Sequence, residues 1–147
     1  LIPEKVFERE IVTTAILPGK IGYLRLLYFG FGSDTKMEWA LRRLEEKGIK
    51  ALVFDLRNNP GGLVLAATSI VDKFVGEGKT ITTLYERGGS KQEIKSTSSE
   101  TDRTYPVFVL INGSSASASE MVSGALKDLG RAKLIGEKTY KGFRVWW

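Results

Sequence analysis

Two side chains are missing from this sequence altogether: cysteine and histidine. Without cysteine there is no disulfide framework, no thiol nucleophile and no thiolate metal site. Without histidine, a Ser-His-Asp triad inside the chain is impossible. A hydrolase built from these 147 residues alone is left with Ser or Thr as nucleophile and Lys as base, or with paired carboxylates. Long apolar runs are absent too, and none approaches the ~20 residues of a membrane-spanning helix. There is also no basic stripe interleaved with aromatics. The 22 Lys and Arg are scattered among 17 Asp and Glu, as where Arg42-Arg43 is followed by Glu45-Glu46, for a net charge of +5. Such a mixed, solvated surface argues against nucleic-acid binding. The opening residues, Leu1-Ile2-Pro3-Glu4-Lys5, carry no start methionine and no signal-peptide pattern, and are expected to be those of a mature or trimmed chain.

What is present is enough for one α/β domain, with 42% hydrophobic residues to fill a core. Residues 7–16 offer one or two strands, and residues 21–29 a strand ended by Gly30-Phe31-Gly32. A helix follows, with Asp34 or Thr35 as its expected cap and Glu38 in capping-box spacing from Thr35. Met37, Ala40, Leu41 and Leu44 form its apolar face, and Gly48 stops it. The almost wholly apolar run 51–56 suits a central strand of a parallel sheet. It enters a loop of turn formers, Arg57-Asn58-Asn59-Pro60-Gly61-Gly62, before a helix-compatible stretch over 63–75. Residues 80–99 predict an exposed β-hairpin, residues 107–111 a buried strand, 118–129 a helix and 132–135 a last strand. This alternation predicts an α/β domain around a largely parallel sheet.

The stretch Gly113-Ser114-Ser115-Ala116-Ser117-Ala118-Ser119-Glu120 stands between a strand and a helix. Such a junction leaves backbone N–H groups free at the helix start, able to hold an anion or the oxyanion of an acyl transfer. Any of its serines could be the nucleophile. Ser117, three residues before Glu120, is equally placed to cap the helix. A lysine base must be neutral to accept a proton, so burial or a neighbouring positive charge has to lower its pKa. Most lysines here stand in exposed, charged contexts, whereas Lys138 and Lys141 follow the last buried strand among Thr139, Tyr140 and Phe143. Ser33-Asp34-Thr35-Lys36 matches Ser-x-x-Lys but lies at a helix start without companion motifs.

Residues 55–62, Asp-Leu-Arg-Asn-Asn-Pro-Gly-Gly, together with residues 113–120, resemble the C-terminal processing peptidases, also called tail-specific proteases. Ile21-Gly22-Tyr23-Leu24-Arg25, Gly124-Ala125-Leu126-Lys127-Asp128 and Gly136-Glu137-Lys138-Thr139-Tyr140 extend the similarity from Phe7 to Tyr140. The resemblance implies a ClpP/crotonase-like α/β fold and a serine endopeptidase with a Ser-Lys dyad, needing no cofactor or metal. It puts the nucleophile on Ser117, and the oxyanion hole on the N–H groups of Ala118 and of Gly61 or Gly62. Where the family has Phe-Gly-Lys-Gly-x-Val-Gln, this chain has Tyr140-Lys141-Gly142-Phe143-Arg144-Val145-Trp146. Gly142 and Trp146 therefore occupy the family's lysine and glutamine positions, and Lys141 is the expected base.

By the same resemblance, residues 1–20 are a linker or the remnant of a preceding PDZ-like domain. Residues 21–147 are then a peptidase core that the family usually continues further. The implied partners are polypeptide substrates bound by their C-terminal region, with room for a homo-oligomer and for a PDZ domain outside this chain. The implied location is extracytoplasmic. The displaced lysine motivates an alternative, a catalytically impaired or non-catalytic domain on the same fold that carries peptide or lipid.

Overall fold

The computed structural model describes residues 10–98 and 103–141. In chain order they form β1 (Val12–Leu17), β2 (Ile21–Leu26), α1 (Ser33–Glu46), β3 (Ala51–Asp55), α2 (Val64–Asp72), β4 (Thr80–Tyr85), β5 (Lys91–Lys95), β6 (Val107–Ile111), α3 (Ala118–Asp128) and β7 (Ala132–Gly136). One sheet has the order β1-β2-β3-β6-β7, and the hairpin β4-β5 is a separate pair. All contacts in the larger sheet are parallel except β1 with β2. The expected mixed α/β fold with a mostly parallel sheet and interleaved helices is what the chain adopts.

The apolar run of β3 takes the central place because both of its edges can pair and both of its faces are covered. Leu52 and Phe54 are fully buried, as are Leu24 and Leu26 of β2 and Val109 of β6. In α1, Met37, Leu41 and Leu44 turn one stripe inward at helical spacing.

Two local expectations are corrected. Helix α1 is not capped by Asp34 or Thr35: it begins at Ser33 behind Gly32, whose left-handed φ of 71° makes the turn. The reason is tertiary, since Phe29 is tied to the 57–62 loop by a bridge to Gly62, and the chain must turn sharply after it. Strand β2 accordingly ends at Leu26 rather than near Phe29. Residues 12–17, within the stretch expected to offer one or two strands, are the antiparallel edge strand of the sheet, registered from Val12–Leu26 to Leu17–Ile21.

Strands β3 and β6 are parallel neighbours, so both carboxyl ends open on the same edge of the sheet. There Leu56 N–H donates to Leu110 O at 2.9 Å, and the loops that follow leave side by side. In open α/β sheets that edge is where ligands bind.

Candidate active site

After β6 the chain has to turn before α3 can start, and Asn112 makes the turn. Its Oδ1 accepts the N–H of Ser114 (3.1 Å) and of Asn58 (3.0 Å), while its Nδ2 donates to Asn58 Oδ1 (2.9 Å). Asn58, at a φ of 60°, thus exchanges two hydrogen bonds with the turn opposite. Ser115 is fully buried, and its hydroxyl donates to Leu56 O at 2.7 Å. Two turns remote in sequence are in this way laced together.

Asn59 fastens them from below. It is fully buried; its Nδ2 donates to Leu26 O (2.9 Å) and its Oδ1 accepts the Gly61 N–H (2.9 Å). Its carbonyl accepts the Ala116 N–H (3.1 Å) and the Ser119 hydroxyl (2.9 Å). The closeness this forces is visible at Gly61. A Cβ there would stand 2.8 Å from both Ala116 O and Ser117 Cβ and 2.9 Å from Ala118 N. Only a residue without a side chain, free to take a φ of 103°, permits the approach.

Ser117 is half-buried and sits at φ 54° and ψ −117°, the residue immediately before α3. A positive φ on a non-glycine residue is strain that surrounding contacts have to impose. Such a strand-to-helix turn projects a serine from the backbone as a nucleophile elbow does. Behind it, the N–H of Ala118 has no hydrogen-bond partner among the described residues. The two glycines named with it differ. Gly61 N–H is engaged by Asn59, whereas Gly62 N–H has no partner among the described residues.

The segment carrying Lys141 docks against the same turn. Tyr140 N–H donates to Ser115 O (3.1 Å), and Lys141 N–H donates to Glu120 Oε1 (2.7 Å). The other oxygen of Glu120, a side chain only 2% exposed, accepts the Ser117 N–H at 2.9 Å. The backbones of Ser117 and Lys141 therefore share one carboxylate. The Lys141 side chain is exposed, and its ammonium has no partner among the described residues. Thr139, two residues earlier, is buried with its hydroxyl unpartnered among the described residues. Gly142 and Trp146 lie outside the described residues.

At the base of the 57–62 loop, fully buried Asp55 accepts bonds from both arms of Arg57 (2.9 and 2.8 Å), from the Arg57 N–H (3.0 Å) and from the Tyr23 hydroxyl (2.5 Å). Burial alone would push the Asp55 pKa up. The Arg57 guanidinium, with help from Tyr23, outweighs it and holds the carboxyl below its usual range. Burial and the neighbouring Asp55 carboxylate raise the pKa of Tyr23. The loop thus leaves the sheet from a charged, bidentate anchor.

Sequence reasoning singled out Ser117, Ala118, Gly61, Gly62 and Lys141, and missed the residues that assemble them: Asn59, Asn112, Ser115 and the second role of Glu120. A signal existed for the two asparagines, since each stands two residues before a backbone N–H its side chain binds, the spacing of an Asx-turn. Among the described residues no group of three His, Cys, Asp or Glu could hold a metal, and no helix is long and apolar enough to cross a membrane.

The model of peptidase family S41 matches residues 20–147. A carboxyl-terminal-processing protease of Synechocystis sp. is 40% identical over 124 residues, covering 84% of this chain and 29% of the relative. Carboxyl-terminal-processing peptidase 3, chloroplastic, of Arabidopsis thaliana is 33% identical over 147 residues, covering 95% and 28%. Among solved structures, a photosystem II D1 C-terminal processing protease superposes with a TM-score of 0.78 at 31% identity, over 88% of this chain and 37% of that one. The chain spans less than a third of the length of these curated relatives.

Proposed function

The chain belongs to peptidase family S41, and on that footing we propose that it carries the active centre of a serine endopeptidase acting near the C-terminal tails of polypeptides. Ser117 Oγ attacks the scissile carbonyl while the amine of Lys141 takes the hydroxyl proton. The tetrahedral oxyanion is held by the N–H groups of Ala118 and Gly62, aimed where the negative charge develops. The C–N bond breaks, the leaving amine takes the proton from lysine, and an acyl-Ser117 remains. Water, deprotonated by the same lysine, releases the new carboxylate and restores the serine. The assignment of Gly62 rather than Gly61 rests on Gly61 N–H already being bound to Asn59.

The observation that carries this reading is the contact of Gly61 with Ser117 and Ala118, which puts a strained serine and an unpartnered helix-start N–H against the glycine loop. That arrangement favours the hydrolase over a carrier, for which neither the strain nor the open N–H groups have a use. The names of the relatives support tails as the substrate class, and a chloroplastic relative supports a location outside the bacterial cytoplasm or within an organelle. The test is covalent labelling with a fluorophosphonate, followed by mapping of the modified residue. Labelling at Ser117 that disappears in Ser117→Ala is expected; labelling elsewhere, or none on folded protein, would refute the assignment.

A further inference from the structure

Gly113 opens the serine turn, yet the fold makes no use of its missing side chain. Its φ is not left-handed, and beyond its chain neighbours a Cβ there would meet only Lys138 O, at an ordinary 3.8 Å. At Gly61 and Gly62, by contrast, a Cβ would collide with backbone. What the missing Cβ does leave bare is the peptide nitrogen that follows Asn112. Gly113 is exposed, and its N–H has no partner among the described residues.

Asn112 is folded back toward that nitrogen. Its Oδ1 accepts the N–H of Ser114, the residue after Gly113, so its carboxamide lies along the Gly113 peptide. The same oxygen accepts the Asn58 N–H at 3.0 Å. Two main-chain N–H groups aimed at one amide oxygen polarise its carbonyl. They are also in place to hold negative charge when a nucleophile adds to Cγ. The nucleophile is supplied by the chain itself. Asparagine is thermolabile, because the next residue's nitrogen can displace its side-chain ammonia, and glycine shields that nitrogen least.

We propose that Asn112-Gly113 is a self-modification site, through which the serine turn ages into a slackened isoaspartyl form that no longer presents Ser117. The Gly113 nitrogen bonds to Asn112 Cγ and gives up its proton. The Cγ–Nδ2 bond breaks, ammonia carries that proton away, and a cyclic succinimide remains. Water then opens the ring. Addition at Cγ yields aspartate, whereas addition at the main-chain carbonyl carbon yields isoaspartate, in which the chain runs through Cβ and Cγ. Aspartate keeps the main-chain path, and a flip of the Asn58 amide offers its Nδ2 to the new carboxylate. Isoaspartate lengthens the path by a methylene and leaves the Asn112 carbonyl as a carboxylate outside it. That main chain grips Ser115 twice: Asn112 N–H donates to Ser115 Oγ at 3.0 Å, and Asn112 O accepts the Ser115 N–H at 2.9 Å. Ser115 is in turn tied to Leu56 O. The longer link pulls this grip out of register, two residues ahead of Ser117. The chemistry is independent of the peptidase reading above, and only its effect on labelling rests on that reading.

The experiment incubates the full chain, folded, at mildly alkaline pH and samples it over time. In each sample, isoaspartate at residue 112 is quantified by peptide mass spectrometry and by isoaspartyl methyltransferase on the denatured chain. Fluorophosphonate labelling of Ser117 and the urea midpoint are measured beside it. Labelling and midpoint are expected to fall in step with the isoaspartate. Rates depend exponentially on barriers, so the methyl of Gly113→Ala, shielding the nitrogen, is expected to slow all three changes on the order of tenfold. Fresh Gly113→Ala should label like fresh wild type. An Asn112 that stays intact in wild type, or converts as fast in Gly113→Ala, would overturn the modification site. Isoaspartate at 112 with labelling and midpoint undiminished would overturn its hold on the turn. Isoaspartate with a lowered midpoint, in a protein whose Ser117 never labels even when fresh, would uphold the slackened turn and sink the peptidase reading. The two failures are therefore distinguishable.

Discussion

Glu120 accepts the backbone N–H of Lys141 at 2.7 Å, across twenty-one positions of sequence. Its second oxygen accepts the Ser117 N–H, so a single buried carboxylate fixes the spacing of the two segments proposed to supply nucleophile and base. Glu120→Gln keeps the shape but replaces one acceptor by an NH₂ that must face an N–H donor. Misplacing reacting groups by about 1 Å costs on the order of 100-fold. The expected result is a fall in kcat of roughly 10–100-fold with KM little changed and circular dichroism unaltered. A change confined to thermal stability, with kcat intact, would reduce Glu120 to a structural role.

The strain at Ser117 should be measurable. Glycine accepts φ 54° and ψ −117° without the penalty of a side chain, and alanine does not. In urea unfolding, Ser117→Gly is therefore expected to be more stable than Ser117→Ala by about 1 kcal/mol, with both devoid of labelling. Equal stabilities would mean that the turn is not strained.

The two loop glycines predict different severities. A Cβ at Gly61 meets the Ser117 side chain and Ala118 N, whereas one at Gly62 would stand only 2.1 Å from the Phe29 carbonyl oxygen at a φ of 141°. Because Phe29 is backbone, held by the bridge to Gly62, no side chain can swing away. Gly62→Ala is expected to cost at least ~3 kcal/mol, and Gly61→Ala less, with activity lost in both. Urea titrations beside peptide-cleavage rates would check the order, and Gly61→Ala with full activity would contradict the close approach.

Asp55 makes a prediction in pH. Its folded pKa is depressed, so its contribution is complete above the unfolded value of about 3.9 and is lost as pH falls through the lower folded value. Asp55→Asn lacks that contribution at every pH. The stability gap between wild type and variant should be widest near neutrality and close below about pH 4, as read from unfolding free energies across the acid range. A gap independent of pH would show that the Arg57 pair is not what lowers the carboxyl.

Much was legible from local chemistry. The absence of histidine and cysteine left a hydrolase built from this chain alone with Ser or Thr and a Lys base, or with paired carboxylates. The apolar run 51–56 and the turn formers after it announced a central strand and a loop, since burial on two faces needs the one and chain reversal the other. The small-residue run 113–120 announced a helix start with open N–H groups, a property of any helix end. What no local pattern encodes is which distant groups meet. Asn59 fastens the serine turn because β3 and β6 are parallel neighbours and release their loops at one edge. Gly32 caps α1 because Phe29 is tied to Gly62. Glu120 binds the Lys141 segment because that segment, following β7, returns across α3's first turn. Periodicity and propensity act over a few residues, whereas these contacts span tens of them, and only the assembled sheet brings their partners within hydrogen-bond reach.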